Sequence, residues 1–324
     1  MTSPRHEVLV IGAGVSGLTT TLALLESGVP SAGIRLIAEQ LPAVTTSACA
    51  GAIWGPYLSS GDQDTDEWGQ HTLERLHELA ADPATGVRVV PGTEASRLDS
   101  EPPSWATKVE GFRRCAAADL PDGFVSGWRY AIPIVDMPRY LGHLVKHLGQ
   151  TDVTVESGHF RSLADAATTA KVVVNCTGIE ARTLVPDPSL TPVRGQLVVV
   201  ENPGIEEFFA EHTEGVDDLT YLLPQGDHVV LGGSVHEGAG ERHVDPEVGR
   251  GILERCVAVE PRLRGVRVLE HRVGIRPSRP RVRVERDDSW AVPVVHNYGH
   301  GGSGVSLSWG CARDVARLVT AALG

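Results

Sequence analysis

The sequence predicts an α/β protein with two domains, one built on a parallel sheet and discontinuous in sequence, the other on a mixed or antiparallel sheet. Near the N-terminus a strand runs through a glycine-rich turn into a helix, and residues 294–323 repeat that pattern. Between residues 191 and 275, several short strands follow one another without alternating helices, which favours a second sheet of a different kind.

The first glycine-rich turn predicts a dinucleotide site. Residues 8–11 are apolar, as in a buried parallel strand, and the next six residues match G-x-G-x-x-G before a helical run to Glu26. A second predicted strand ends at Glu39, whose carboxylate would bind the ribose hydroxyls of an adenosine. Together these features predict a Rossmann-like domain whose phosphate-binding turn consists of Gly12, Ala13, Gly14, Val15, Ser16 and Gly17.

The remaining elements follow from periodicity and capping signals. Asp136 and Asp245 are each followed closely by a proline and a helical run, which is the pattern of a helix N-terminus. A continuous β-branched run within 171–178 is typical of a strand covered by helices on both faces. The predicted helices are 68–82, 137–148, 164–170 and 246–262, and the predicted strands are 86–96, 126–133, 153–155, 193–200, 220–224 and 228–233.

This order of elements predicts the domain boundaries. Residues 1–58, 138–190 and 281–324 are assigned to the dinucleotide-binding domain. Residues 59–137 and 191–280 are assigned to a substrate-binding domain.

Composition excludes several classes of function. The 324 residues carry a formal net charge of −12 with a pI near 5.5, which argues against binding to nucleic acid or to an anionic membrane surface. We expect no secretory leader and no membrane span, because no apolar run reaches about 18 residues. Five scattered cysteines without metal-ligand spacing predict reduced thiols, no metal site and a cytoplasmic protein.

Further segments are candidates for cofactor contact. Thr45, Thr46 and Ser47 are hydroxyl donors in a segment of small residues that includes Gly51, although any one hydroxyl equally suits a helix cap. A domain that binds only NAD needs one glycine turn, whereas a second turn feeding the last helix suits FAD, whose flavin end a helix dipole would meet. The candidates that follow the later strands are Thr177, Gly178, Gly301, Gly302, Ser303, Gly304, Val305 and Ser306.

Candidate substrate contacts combine a proline-rich segment with a tyrosine. Two prolines rigidify the chain around Arg276 and Arg279, and a preorganised guanidinium suits bidentate capture of a carboxylate. The alternative is that these arginines form salt bridges, which we favour for Arg279 and leave open for Arg276. Tyr221 either projects into a cleft or packs in the core. His296 and His300 are expected to be structural.

Motifs along essentially the whole chain resemble those of the flavoenzyme D-amino-acid oxidases. The run His-Asn-Tyr-Gly-His-Gly-Gly at 296–302 is highly specific for that family. The other matching motifs are Gly12-Ala-Gly-Val-Ser-Gly17, Trp54-Gly-Pro-Tyr57, Gly127-Trp128, Val135-Asp-Met-Pro-Arg-Tyr140, Val174-Asn-Cys-Thr-Gly178, Arg194-Gly-Gln196, Tyr221 with Pro224, and Gly274-Ile-Arg-Pro-Ser-Arg-Pro280.

The resemblance implies non-covalently bound FAD and a D-amino acid held through its α-carboxylate by Arg276 and Tyr221, the two catalytic positions. It also implies transfer of the α-hydrogen as hydride to flavin N5, hydrolysis of the imino acid to a 2-oxo acid and ammonia, and reoxidation by O₂ to give hydrogen peroxide. Positioning would supply most of the catalysis. Arg276 and Ser303 are expected to contact both substrate and cofactor.

The sequence departs from the family at several positions. The segment 201–220 is short, Asp217 or Asp218 falls where animal members carry a lid tyrosine, and Gly55 and Ser303 replace a Gln and a Tyr. These changes remove bulk, which predicts an open pocket and a broad range of neutral and bulky substrates. The chain lacks a C-terminal Ser-Lys-Leu, which favours a cytoplasmic enzyme. A homodimer is the assembly considered.

Other functions stay open at this stage. A D-aspartate oxidase would need a further cation, for which Arg129 or Arg194 is the candidate. A glycine-oxidase-like amine oxidase is more remote. A non-enzymatic FAD-binding regulator need not retain both Arg276 and Tyr221, and an NAD-dependent dehydrogenase would lack the second glycine turn.

Overall fold

A computed structural model describes residues 6–55, 63–216 and 218–324. Pro56 and Tyr57 of one matching motif, and Asp217, lie outside the described residues. The helices are α1 Val15–Glu26, α2 Gln63–Leu79, α3 Met137–Gly149, α4 Leu163–Ala167, α5 Ala181–Leu184, α6 Pro246–Val259 and α7 Gly304–Leu323. The strands are β1 His6–Ile11, β2 Ile34–Ala38, β3 Val87–Ser96, β4 Arg113–Arg114, β5 Ser126–Val135, β6 Val155–Ser157, β7 Ala170–Asn175, β8 Thr191–Glu201, β9 Phe208–Glu211, β10 Tyr221–Pro224, β11 His228–Gly232, β12 His236–Glu237, β13 Val268–Asp287 and β14 Val294–His300.

All of these strands join one sheet whose two ends differ in character. At one end, β14, β7, β1, β2 and β6 are parallel, as expected for strands that alternate with helices. At the other end, β4, β5, β3, β9, β10, β11, β8 and β13 are antiparallel except for the β3–β9 pair. The predicted fold class, a Rossmann-like α/β unit combined with a mixed sheet, is confirmed.

The parallel end is stabilised by apolar burial on both faces of the sheet. Helices α1 and α7 pack together over one face, where Leu18, Leu22 and Val315 are buried with Val8 and Val10 of β1. On the opposite face, Leu9 and Val173 pack against α4. This accounts for the uninterrupted apolar character of β1 and β7, since both faces of each strand are covered.

Strand β13 was not predicted, and it is the longest strand among the described residues. Its prolines, Pro277 and Pro280, were expected to rigidify the chain around Arg276 and Arg279, and no strand was predicted there because proline rarely occupies a central strand. The structure accommodates Pro280 where the β13–β14 register shifts between Ser278 and Arg283. Strand β9 was also missed, and the helix predicted from residue 68 begins at Gln63.

The proposed division into domains stays a prediction, because the sheet is continuous. One predicted boundary, between residues 280 and 281, falls inside β13. The caps predicted at Asp136 and Asp245 are both present: each carboxylate accepts a hydrogen bond from a backbone N–H in the first turn of α3 or α6. Among the described residues, we find no helix with the length and apolar character needed to cross a bilayer.

Asp187 lies in the segment before β8, and its side-chain contacts link that segment to β13 and β14. Its carboxylate lies 3.0 Å from Nε of Arg279 and accepts a hydrogen bond of 2.8 Å from the Tyr298 hydroxyl. Two further hydrogen bonds come from the hydroxyl and backbone N–H of Ser189. Burial acts to raise the pKa of Asp187, but these hydrogen bonds outweigh it and hold the pKa well below its usual range. Arg279 thus forms the ion pair that sequence analysis favoured.

We expect Asp187→Asn to lower the free energy of unfolding by about 2 kcal/mol at neutral pH, because the partly exposed guanidinium of Arg279 and the buried phenol of Tyr298 lose a charged acceptor. The folded pKa lies below the unfolded value of about 3.9, so the contribution is complete above that pH and is lost as pH falls through the folded pKa. Urea unfolding at several pH values measures this, with exposed Asp122→Asn as control. An equal loss for the two variants would contradict it.

Candidate active site

One continuous cavity of about 570 Å³, lined by described residues, runs from the parallel end of the sheet to the antiparallel end. Glu39 lies at one end of it, directly after β2, and Tyr221 and Arg276 lie on the antiparallel strands. The cavity therefore follows the carboxyl ends of the parallel strands, where ligands of open α/β sheets bind. Of the predicted site residues, only Gly17 and Ser303 do not line it.

The first glycine turn is held close to β7. Gly12 has a φ of +108°, and a Cβ at this position would lie 2.4 Å from the carbonyl oxygen of Cys176. A Cβ on Gly17 would lie 1.8 Å from the carbonyl oxygen of Gly12, so this glycine brings α1 against the turn rather than facing the cavity. Ala13, Val15 and Ser16 line the cavity with Gly14.

The hydroxyl segment after β2 faces the N-terminus of α1. The backbone N–H of Val15 donates to Oγ of Ser47 at 3.0 Å, so a hydroxyl of this segment lies at the N-terminus of α1. Thr46 donates to the carbonyl of Ile275 on β13, and Gly51 lies beside the ring of Tyr221. The segment therefore connects the glycine turn with the antiparallel strands.

The second glycine turn connects β14 to α7, as predicted. Gly301, Gly302 and Gly304 line the cavity together with the first residues of α7, Val305 and Ser306. Oγ of Ser306 accepts a hydrogen bond of 3.1 Å from the N–H of Gly55. Ser303 is 1 % exposed and occupies the N-cap position of α7, and its backbone N–H donates to the carbonyl of His300.

The two histidines of the C-terminal motif are buried in polar networks. Burial lowers the pKa of each to about 4, so both are neutral at physiological pH. His296 contacts the side-chain amide of Asn175, and Oδ1 of Asn175 accepts a hydrogen bond from the hydroxyl of Thr177. His300 contacts the side chain of Asn297. These networks orient the ends of β7 and β14, where Thr177 and Gly178 line the cavity.

Arg276 and Tyr221 lie over adjacent strands at positions occupied by glycine. A Cβ on Gly195 would lie 2.4 Å from both terminal nitrogens of Arg276, and a Cβ on Gly232 would lie 2.3 Å from the Tyr221 hydroxyl oxygen. Nη1 of Arg276 donates to the carbonyl of Ser234 at 3.1 Å. The guanidinium and the phenol therefore approach the same segment, 232–234, from two sides.

Several cavity residues were missed by sequence reasoning. Glu94, Trp105, Tyr130 and His212 line the antiparallel end, and Arg242 reaches across to Gln40, Val44 and Thr46 near the first turn. Pairing among strands β3, β5 and β9 brings Glu94, Tyr130 and His212 together from distant parts of the chain. No local sequence motif marks these residues. A charged residue inside a predicted strand, as Glu94 is, was the one available signal.

The two cations considered for an acidic substrate lie elsewhere. Arg129 forms a two-point ion pair with Glu207, and Arg194 is 5 % exposed and donates to Gln196 and to the carbonyl of His243. Neither lines the cavity.

Residues 7–318 match the family model described as FAD dependent oxidoreductase. The chain is 47% identical over 317 residues to a protein of Rubrobacter xylanophilus named D-amino-acid oxidase, covering 97% of this chain and 96% of that protein. It is 42% identical over 320 residues to a protein of Streptomyces coelicolor with the same name, covering 97% of each. The fold matches glycine oxidase from Bacillus cereus with a TM-score of 0.79 at 18% identity, covering 98% of this chain and 95% of that one.

The chain therefore belongs to the FAD-dependent oxidoreductases, and its cofactor is FAD. The residues present fit this dinucleotide, because the glycines of the first turn leave space that a side chain would otherwise fill. A Cβ on Gly14, for example, would lie 3.0 Å from Oγ of Ser47. A carboxylate, Glu39, follows β2 as a ribose site requires.

We expect Gly17→Ala to weaken FAD binding at least about tenfold, because the new Cβ overlaps the Gly12 carbonyl and must push α1 away from the turn. The measurement is the Kd for FAD, followed by quenching of flavin fluorescence during titration of the apoprotein. Gly142→Ala in α3 is the control, since nothing lies within 4 Å of its Cβ. A G17A protein with an unchanged Kd would show that this contact does not shape the site.

Proposed function

We propose that this protein oxidises D-amino acids to 2-oxo acids, ammonia and hydrogen peroxide with FAD as cofactor. The observation that carries the proposal is the approach of a guanidinium and a phenol to one backbone segment in a cavity that continues to the glycine turn. The two similar bacterial proteins named D-amino-acid oxidase support it.

Arg276 binds the substrate α-carboxylate in this proposal. One of its terminal nitrogens is fixed by the Ser234 carbonyl, and the absence of a side chain at Gly195 lets the planar group lie flat over β8. A guanidinium held in this way loses little conformational freedom when it binds a carboxylate through two hydrogen bonds. Arg276 thereby sets the orientation of the α-carbon.

Tyr221 supplies a second contact to the same carboxylate. Its ring is confined by Gly51 on one side and by Gly232 and Gly233 on the other, so the hydroxyl has a defined position. Two donors on one carboxylate fix its position and its plane, and a further contact to the amino group or to the side chain then selects one enantiomer. Ser303 was expected to contact substrate and cofactor, and because it is 1 % exposed and does not line the cavity, that contact stays a prediction.

FAD, when bound, supplies the hydride acceptor and the reaction with dioxygen. In the proposal, backbone N–H groups at the start of α1 and α7 bind its polar groups, and Glu39 binds the ribose. The assigned cofactor contacts are Gly12, Ala13, Gly14, Val15, Ser16, Glu39, Thr45, Thr46, Ser47, Gly51, Thr177, Gly178, Arg276, Gly301, Gly302, Gly304, Val305 and Ser306. Gly17 contributes through packing.

A D-aspartate oxidase is the less favoured candidate, because Arg129 and Arg194 are paired away from the cavity. The broad range of neutral and bulky substrates stays a prediction. Trp105 and Tyr130 give the cavity aromatic walls that the sequence departures did not suggest. The cytoplasmic location and the homodimer also stay predictions.

The first experiment is an absorption spectrum of the purified protein, followed by anaerobic addition of D-alanine and, separately, L-alanine. We expect a flavin band that is bleached by the D-isomer alone, as the two similar bacterial proteins named D-amino-acid oxidase suggest. A band that survives a panel of D-amino acids would leave an FAD protein of another function.

We expect Arg276→Leu to lower kcat/KM for D-alanine about 100-fold or more, since a charged two-point contact to the substrate carboxylate is lost. The FAD content should be retained, which separates the substrate contact from any contact to the cofactor. Exposed Arg267→Leu, which removes the same charge next to Glu201, is the matched control and should behave like wild type. Comparable activity in the two variants would exclude Arg276 as the carboxylate ligand.

A further inference from the structure

A buried carboxylate faces the antiparallel end of the cavity and has no role in holding the α-carboxylate. Glu94 on β3 is 6 % exposed and lines the cavity. Its Oε1 lies 2.8 Å from Nδ1 of His212, and its Oε2 accepts hydrogen bonds from Nε1 of Trp128 and from the hydroxyl of Tyr130. Every partner here is a donor, which is the arrangement that an ionised carboxylate requires.

The sheet register places this carboxylate in line with Tyr221. Glu94 pairs with Ala210 of β9, and Ala210 pairs with Tyr221 of β10, so all three side chains lie on one face. Two strand spacings separate the backbones of Glu94 and Tyr221, or about 10 Å. Ala210 lines the cavity between them, and its single methyl group leaves room for a substrate side chain to extend toward Glu94.

Glu94 retains capacity for one more donor. A carboxylate has about four acceptor positions, and three are used here. The neighbouring carboxylate, Glu211, differs, because Arg97, Thr213 and the N–H of Thr220 all bind it. Glu211 therefore has a guanidinium as counter-ion, whereas Glu94 has only the half-exposed His212.

His212 is the second polar group at this end of the cavity. Its Nδ1 donates to Oε1 of Glu94, and this hydrogen bond raises the pKa of the imidazole. Tyr130 and Trp105 stand beside the pair with ring centroids 5.6 Å apart, and both line the cavity. Aromatic faces of this kind pack against the methylene groups of a long side chain and also attract a cation.

We propose that Glu94 and His212 form the side-chain subsite of this cavity and that the subsite binds D-amino acids with a cationic side chain, such as D-lysine. The inference rests on the proposed function, with Arg276 as the α-carboxylate ligand. The opposite charges of Arg276 and Glu94 then match the two ends of a basic amino acid, and an acidic side chain meets a like charge.

The test compares D-lysine with D-norleucine, which has the same chain length without the terminal ammonium. In wild type, kcat/KM for D-lysine should equal or exceed that for D-norleucine, and D-glutamate should be at least about tenfold poorer than D-lysine. In Glu94→Gln, the D-lysine to D-norleucine ratio should fall about tenfold or more, while D-norleucine turnover persists. Glu94→Asp keeps the charge and should retain most of the ratio.

The matched control is Glu207→Gln, which removes the same charge from a residue that pairs with Arg129 outside the cavity. An E94Q protein with an unchanged ratio, or with both substrates reduced equally, would overturn the assignment. If E94Q does not fold, wild type still decides, because a tenfold preference for D-norleucine over D-lysine contradicts the subsite. Failure of the proposed function is distinct, since then neither substrate reduces the flavin.

Discussion

Strand β13 pairs with β8 along its first half and with β14 along its second half, and this shared backbone is the constraint on which the site depends. Arg276 lies in the first half, and β14 leads directly into the second glycine turn. The distance from the guanidinium to that turn is thus fixed by backbone hydrogen bonds of one sheet. The Asp187 network fastens the same strand near Arg279. A hinge at this point would separate the substrate contacts from the cofactor site, which hydride transfer does not tolerate.

Glycines shape the cavity as much as the side chains that line it. At Gly195 and Gly232 the missing Cβ is replaced by the guanidinium of Arg276 and the phenol of Tyr221, so the two polar groups lie low on the sheet and leave the space above them free. At Gly12 and Gly17 the missing Cβ allows backbone to approach backbone. The same residue type therefore creates room for chemistry at one end and close packing at the other.

The sequence was most informative where a function is encoded locally. A local signal that combines residue type with spacing marks three features: the turn at residues 12–17, the helix caps at Asp136 and Asp245, and the glycines before α7. The local structure of each was predicted correctly. Strand β13 was missed because two prolines contradict the usual pattern of a central strand, and only the partner strands show how they fit. Glu94 and His212 were missed because pairing of β3 with β9 creates their contact. Long-range pairing of this kind leaves no spacing signal in the chain.

The charges along the cavity suggest how a largely apolar enclosure orients a zwitterion. At the antiparallel end, the cation Arg276 and the carboxylate Glu94 lie on opposite sides of Tyr221, and Glu211 is already neutralised by Arg97. A field of this kind aligns the substrate carboxylate before any contact is made, and low-dielectric walls strengthen it. Because the histidines nearest the second glycine turn are neutral and hydrogen-bonded, they add no competing charge. Orientation therefore depends on two fixed charges on opposite sides of Tyr221, and the aromatic and small residues between them determine which side chains can extend from one to the other.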